Sequence, residues 1–99
     1  MNESAFGMLG ILNRAKLVIF GPAVEDSLRK GHLLLLAEDA SPRSKKTLLA
    51  KAQSHGLEVY LIPTKQELGA PLGRDELTAV LITSKKAANS LLQKLSKGE

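Results

Sequence analysis

The sequence has no cysteine and no tryptophan, and its only aromatic residues are Phe6, Phe20 and Tyr60. Without cysteine, disulfides and thiolate metal sites are excluded, and a reducing compartment is compatible with the chain. Three aromatics are too few for a platform that stacks successive bases on exposed rings. Long apolar runs are also missing. The longest, Leu33 to Ala37, has the length of a strand and not of a membrane-spanning helix. Glu3 stands early, and no basic start precedes an apolar stretch, so the N-terminus does not read as a signal peptide. The expectation is a cytoplasmic protein with no membrane partner.

What remains reads as one domain spanning 1–99. Two halves of such a chain would each be too small to bury a core without disulfides or metal. A hydrophobic fraction of 43% with 24% charged residues suits a globular protein.

Residue periodicity alternates between helix and strand. Ala5, Leu9 and Leu12 make one helical stripe over Ser4 to Arg14, beside Met8 and Ile11, with Ser4 as N-cap. Leu17 to Phe20 is a short strand. Gly21-Pro22 opens a second helix with proline at its first position, where a missing N–H is no loss. Val24 and Leu28 face inward, and Gly31 is expected in the left-handed position that ends helices. The four leucines within His32 to Ala37 suit a central strand buried on both faces. Ser41-Pro42 caps a third helix with Leu48, Leu49 and Ala52 inside, ended by His55-Gly56. Leu57 to Ile62 is a strand, broken by Pro63. Thr64-Lys65-Gln66-Glu67 is a capping box for a short helix to Gly69. A loop from Ala70 to Glu76 leads to a strand over Leu77 to Thr83. Ser84 caps a last helix with Ala88, Leu91, Leu92 and Leu95 inward, and the tail is expected to fray from Ser96. This alternation predicts a parallel or mixed sheet between layers of helices.

The net charge is +4. Arg43, Lys45, Lys46, Lys51 and Lys65 face only Glu58 over their stretch, and Lys85, Lys86, Lys94 and Lys97 crowd the C-terminus, so a basic face is expected. Catalytic patterns are not found. Phe20-Gly21-Pro22-Ala23 holds one glycine where a dinucleotide loop needs three, and no Gly-Lys-Ser phosphate loop occurs. Glu38-Asp39 leaves a strand where α/β folds place active-site acids, but no partner base is readable. Asp39 is therefore expected to cap or brace the loop before Ser41. His32 and His55 lack a third ligand at metal spacing, and no serine sits in a nucleophile elbow. No enzyme activity, metal or cofactor is expected.

Four segments together carry a resemblance. They are Leu17-Val18-Ile19, Val24 to Gly31, the block Leu33 to Pro42 with its Ala-Glu-Asp-Ala-Ser-Pro end, and Glu67-Leu68-Gly69 followed by Gly73. Their order and spacing resemble the ribosomal protein seven-Ae/thirty-e superfamily of kink-turn RNA binders, and its small bacterial branch in particular, from about Leu9 to Leu92. The resemblance implies a three-layer α/β/α sandwich around a mixed four-stranded sheet. It also implies an RNA-binding edge built from the helix start after the first strand and the loop before the last. The family's Asn-Glu pair falls on Pro22-Ala23 here, its lysine on Asp26, and Gly21 lies one place off its glycine. The second loop, usually apolar at its tip, reads Arg74-Asp75-Glu76.

These observations lead to a non-enzymatic binder of structured RNA, ribosome- or translation-related, contacting phosphate through Lys16, Gly21, Lys30, Arg43, Lys45 and Arg74. Kink-turn selectivity is not expected in the family's usual form, since Pro22 has no side-chain hydrogen bond to offer. The alternative is a protein-interaction or scaffold module that retains the fold without RNA.

Overall fold

Four consecutive leucines leave a strand with no polar face, so it needs cover on both sides. The computed structural model describes residues 1–97 and gives it that cover. In chain order the elements are α1 (Glu3–Arg14), β1 (Val18–Phe20), α2 (Ala23–Ser27), β2 (Leu33–Ala37), α3 (Pro42–Ser54), β3 (Val59–Ile62), α4 (Lys65–Gly69), β4 (Ala79–Ile82) and α5 (Lys85–Lys97). Single 3-10 turns, Leu28–Lys30 and Ala70–Leu72, extend α2 and α4. The strand order is β1-β4-β2-β3. β2 runs parallel to β3, while β4 is antiparallel to both β1 and β2, so the sheet is mixed.

The period of two along β2 sorts its side chains into two cores. Leu33, Leu35 and Ala37 pack with α1, α4 and α5, and Leu34 and Leu36 pack with Val24, Leu28, Leu48 and Ala52 of the α2 and α3 layer. Every β2 residue is buried. This is the three-layer sandwich expected, with the mixed four-stranded sheet at its centre.

Local signals explain most boundaries. The Ser41 hydroxyl accepts the Ser44 N–H (3.2 Å), the Thr64 hydroxyl accepts that of Glu67 (3.0 Å), and the Ser84 hydroxyl accepts that of Ala87 (3.2 Å). The first helix departs from expectation. Asn2, not Ser4, is its N-cap, with Oδ1 accepting the Ala5 N–H at 2.8 Å. The Asn2 amide also donates to the Lys94 carbonyl (2.7 Å), and the Ser4 hydroxyl accepts from the Lys94 ammonium (3.2 Å), tying α1 to α5. Pro22 occupies the N-cap of α2, one place before the first helical position.

Gly31 is a second correction. Its backbone is extended (φ −92°, ψ 162°), not left-handed. Glycine is needed there for space, because a Cβ would lie 2.1 Å from Leu81 Cδ1. Left-handed helix ends are at Gly56 (φ 65°), at Gly73 (φ 71°) after the turn that extends α4 and, without a glycine, at Lys16 (φ 62°). At Lys16 the cap closes through Lys16 N–H to Asn13 and Leu17 N–H to Leu12, both at 3.0 Å. Leu49, expected inside, is exposed, since α3 turns only Leu48 and Ala52 fully into the sheet. The fraying expected from Ser96 meets a helix that runs through Lys97; residues 98 and 99 lie outside the described residues.

Candidate nucleic-acid interface

β1, β2 and β3 all point the same way, and β4 runs against them. One edge of the sheet therefore gathers the carboxyl ends of three strands and the start of β4. The opposite edge gathers three strand starts and the end of β4. The six candidate contacts divide between these edges.

At the carboxyl edge, Gly21 follows β1 with φ 82°, a conformation that a side chain would strain. That turn directs the chain into Pro22 and α2. Across from it, the Ala37 N–H bonds the Thr78 carbonyl at 2.9 Å, which fixes the segment entering β4 beside the end of β2. The first turns of α3 close the third side. Between them lies an open cleft of about 610 Å³. Its apolar lining includes Val24, Leu48 and Ala79, its hydroxyls come from Ser44, Thr47 and Thr78, and its charges are Glu25, Glu76 and Arg43. Both carboxylates are answered by lysines: Glu25 pairs with Lys51, and Glu76 lies 3.9 Å from Lys65. Arg43 is the charge lining the cleft that has no ion-pair partner among the described residues.

Arg74 and Lys45 belong to the same edge but are held differently. The Arg74 guanidinium sits 4.9 Å from the centroid of the Phe20 ring, a cation–π contact at the end of β1. Its loop folds closely onto α4, where a Cβ on Gly69 would lie 2.9 Å from the Arg74 carbonyl. The Lys45 ammonium donates to the Glu38 carbonyl at 2.9 Å. Asp39 does not brace the loop before Ser41 as expected. Its carboxylate accepts the Lys65 N–H at 2.7 Å, joining the end of β2 to the start of α4.

Lys16 and Lys30 lie at the other edge. Lys16 precedes Leu17, whose carbonyl accepts the Thr83 N–H (2.9 Å), and Lys30 precedes His32, whose N–H bonds the Ile82 carbonyl (2.8 Å). The structure thus brings Gly21, Arg43, Lys45 and Arg74 to one edge and sets Lys16 and Lys30 apart. Sequence reasoning missed the hydroxyls of Ser44, Thr47 and Thr78 and the role of Phe20. The hydroxyls gave no signal, but an aromatic directly before Gly-Pro at a strand end could have been read as a rim residue.

Residues 23–92 match the ribosomal protein L7Ae/L30e/S12e/Gadd45 family. The chain belongs to this family. It is 29% identical over 93 residues to the RNA-binding protein YlxQ of Bacillus subtilis (strain 168), covering 91% of this chain and 93% of that protein. A solved structure of a protein with unknown function from Bacillus halodurans C has the same fold, with TM-score 0.88 and 23% identity over 96% of this chain and 99% of that one. The matched span begins at Ala23, the first residue of α2, and runs through the segment entering β4, so it contains most of the cleft.

Proposed function

We propose that this protein is a non-enzymatic, cytoplasmic binder of structured RNA acting in a translation-related setting, and that the cleft at the carboxyl edge receives the RNA. The observation that carries the reading is the convergence of three segments on that cleft. The Gly21-Pro22 turn and the stretch from Glu76 to Ala79 meet across α3, with hydroxyl donors and one unpaired guanidinium, Arg43. Glu25 and Glu76, which also line the cleft, each have a lysine alongside, Lys51 and Lys65, that offsets their charge. Family membership and the likeness to an RNA-binding protein support the same reading.

Recognition here rests on phosphate and shape more than on base edges. Pro22 and Ala23 offer no side-chain polar atoms at the mouth of the cleft, and Asp26 adds a negative charge to α2. Affinity for a kink-turn RNA and for an unkinked structured RNA should therefore be similar, and both should fall steeply with salt. A triple change, Pro22→Asn with Ala23→Glu and Asp26→Lys, should raise kink-turn affinity selectively. Fluorescence anisotropy across a salt series tests this. No salt-sensitive binding to either RNA would favour a scaffold role. Tight binding confined to the kink-turn would show that base readout survives without these side chains.

A further inference from the structure

The positive charge of this protein is concentrated away from the cleft. The carboxyl edge carries Arg43, Lys45, Lys65 and Arg74 but also Glu25, Glu38, Asp39, Asp75 and Glu76, so its charges nearly cancel. At the opposite edge three short segments meet around the end of β4. They are the end of α1 and the turn after it, with Arg14 and Lys16, the 3-10 turn before β2 with Arg29 and Lys30, and the start of α5 with Lys85 and Lys86. The Leu17 carbonyl receives both the N–H and the hydroxyl of Thr83 (2.9 and 3.1 Å), and the His32 N–H bonds the Ile82 carbonyl, which locks the three segments together. All six cations are exposed, and none has an ion-pair partner among the described residues. The acids nearest that end are Asp26, three residues before Arg29, and Glu58, one residue before β3; neither forms an ion pair among the described residues.

Six uncompensated like charges in one patch repel one another. Lys85 and Lys86 also stand in the first turn of α5, where the helix dipole disfavours cations and no acid offsets them. Folding does not call for this arrangement, and a polyanion relieves it. The residues between the cations are Ala15, Gly31, His32 and Ser84, which are small or polar, and the exposed Ile11 one turn before Arg14 is a single apolar side chain, not the apolar centre that a protein partner would bury.

We propose that this edge is a second RNA contact, taking the phosphodiester backbone of a segment other than the one held at the cleft. It rests on the reading of the protein as an RNA binder. The two edges are separated by the length of the five-residue β2, about 17 Å at strand rise, with the packed sheet between them. A bound RNA must wrap the protein, or two segments must approach from opposite sides.

The test compares two charge-matched variants of the full chain: Arg29, Lys30, Lys85 and Lys86 to Ala, and Arg43, Lys45, Lys65 and Arg74 to Ala. Each is titrated with a plain RNA duplex, a folded stem–loop RNA and a poly-glutamate peptide over a salt series, with melting curves confirming the fold. The proposal expects the first variant to bind duplex about tenfold or more weakly, and its slope of log affinity against log salt to be shallower by about two to three. The second variant should keep most of that slope and lose its preference for the folded RNA. If the first variant binds both RNAs with unchanged affinity and slope while the second loses the folded RNA, the second contact is overturned and the cleft reading stands. If the second variant alone is silent, the cleft reading fails and the basic edge stands. Equal loss of poly-glutamate binding by the first variant would reassign the patch to an acidic protein, and absence of RNA binding by the unaltered chain would overturn both readings.

Discussion

The two edges of one sheet have opposite designs. The carboxyl edge is concave and nearly charge-balanced, with lysines spent on carboxylates and one guanidinium left over at the cleft. The opposite edge has six exposed cations brought together by turns. Shape without net charge suits discrimination; charge without shape suits attraction at a distance. Both rest on the same β2, whose burial on both faces holds the turns at its two ends in place.

Loss of that shared support should disable both edges at once. Leu35 is fully buried and registers with Tyr60 on one side and Val80 on the other. Leu35→Asp should cost at least several kcal/mol and unfold the domain, because the carboxylate has no partner there. Thermal melting by circular dichroism checks it, and a variant that melts like the parent would remove β2 from the centre of the account.

Gly31 tests the basic edge alone. Gly31→Ala forces a methyl into Leu81, 2.1 Å from its Cδ1, and should destabilise by about 1–3 kcal/mol through overpacking. The penalty should shrink in a Leu81→Ala background, read as a coupling energy in a double-mutant cycle. A full penalty in both backgrounds would show that the turn, not the leucine, requires glycine.

Arg74→Ala at one edge and Lys30→Ala at the other should each weaken RNA binding a few-fold, about 0.5–1 kcal/mol, and to a similar extent for folded RNAs of different sequence, as phosphate contacts do. Base-dependent losses would show that one of them reads sequence. Asp39→Asn keeps an acceptor oxygen for the Lys65 N–H and should change stability by about 1 kcal/mol or less, with no turnover gained or lost. A Mg²⁺-dependent hydrolysis that vanished in Asp39→Asn would overturn the non-enzymatic proposal. The smallest effect is expected at Lys16, whose φ of 62° is left-handed. Lys16→Gly should stabilise by about 0.5 kcal/mol, the relief of left-handed strain less the added freedom of glycine in the unfolded chain.

The sequence made legible what is local. The leucine run, the caps at Ser41, Thr64 and Ser84, and the helix end at Gly56 each depend on neighbours within a few residues. What it concealed depends on distant partners. Gly31 looks like a helix stop until Leu81 arrives from β4. Asp39 looks like a turn residue until Lys65 comes alongside. Lys16 carries no signal for a left-handed backbone, because lysine has no such preference. Charge misled most. The long basic stretch from Arg43 to Lys65 suggested a basic face, but folding sets Glu25 against Lys51 and Glu76 near Lys65. The six cations at the other edge come from three separate pairs; Lys85 and Lys86 stood out along the chain, but that they meet Arg14, Lys16, Arg29 and Lys30 depends on the sheet order. The cleft was legible through the family resemblance, which named two of the three segments that line it and not α3.

RNA entry into the cleft at the carboxyl edge would perturb the backbone amides that line it. The most direct measurement is a ¹⁵N–¹H correlation titration of the full chain with a structured RNA at moderate salt. The account predicts the largest amide shifts at Gly21, Ser44, Thr47 and Thr78, with a second, more salt-sensitive set near Lys16, Lys30 and Lys86. Unchanged signals at Gly21, Ser44, Thr47 and Thr78 while RNA is demonstrably bound would contradict it.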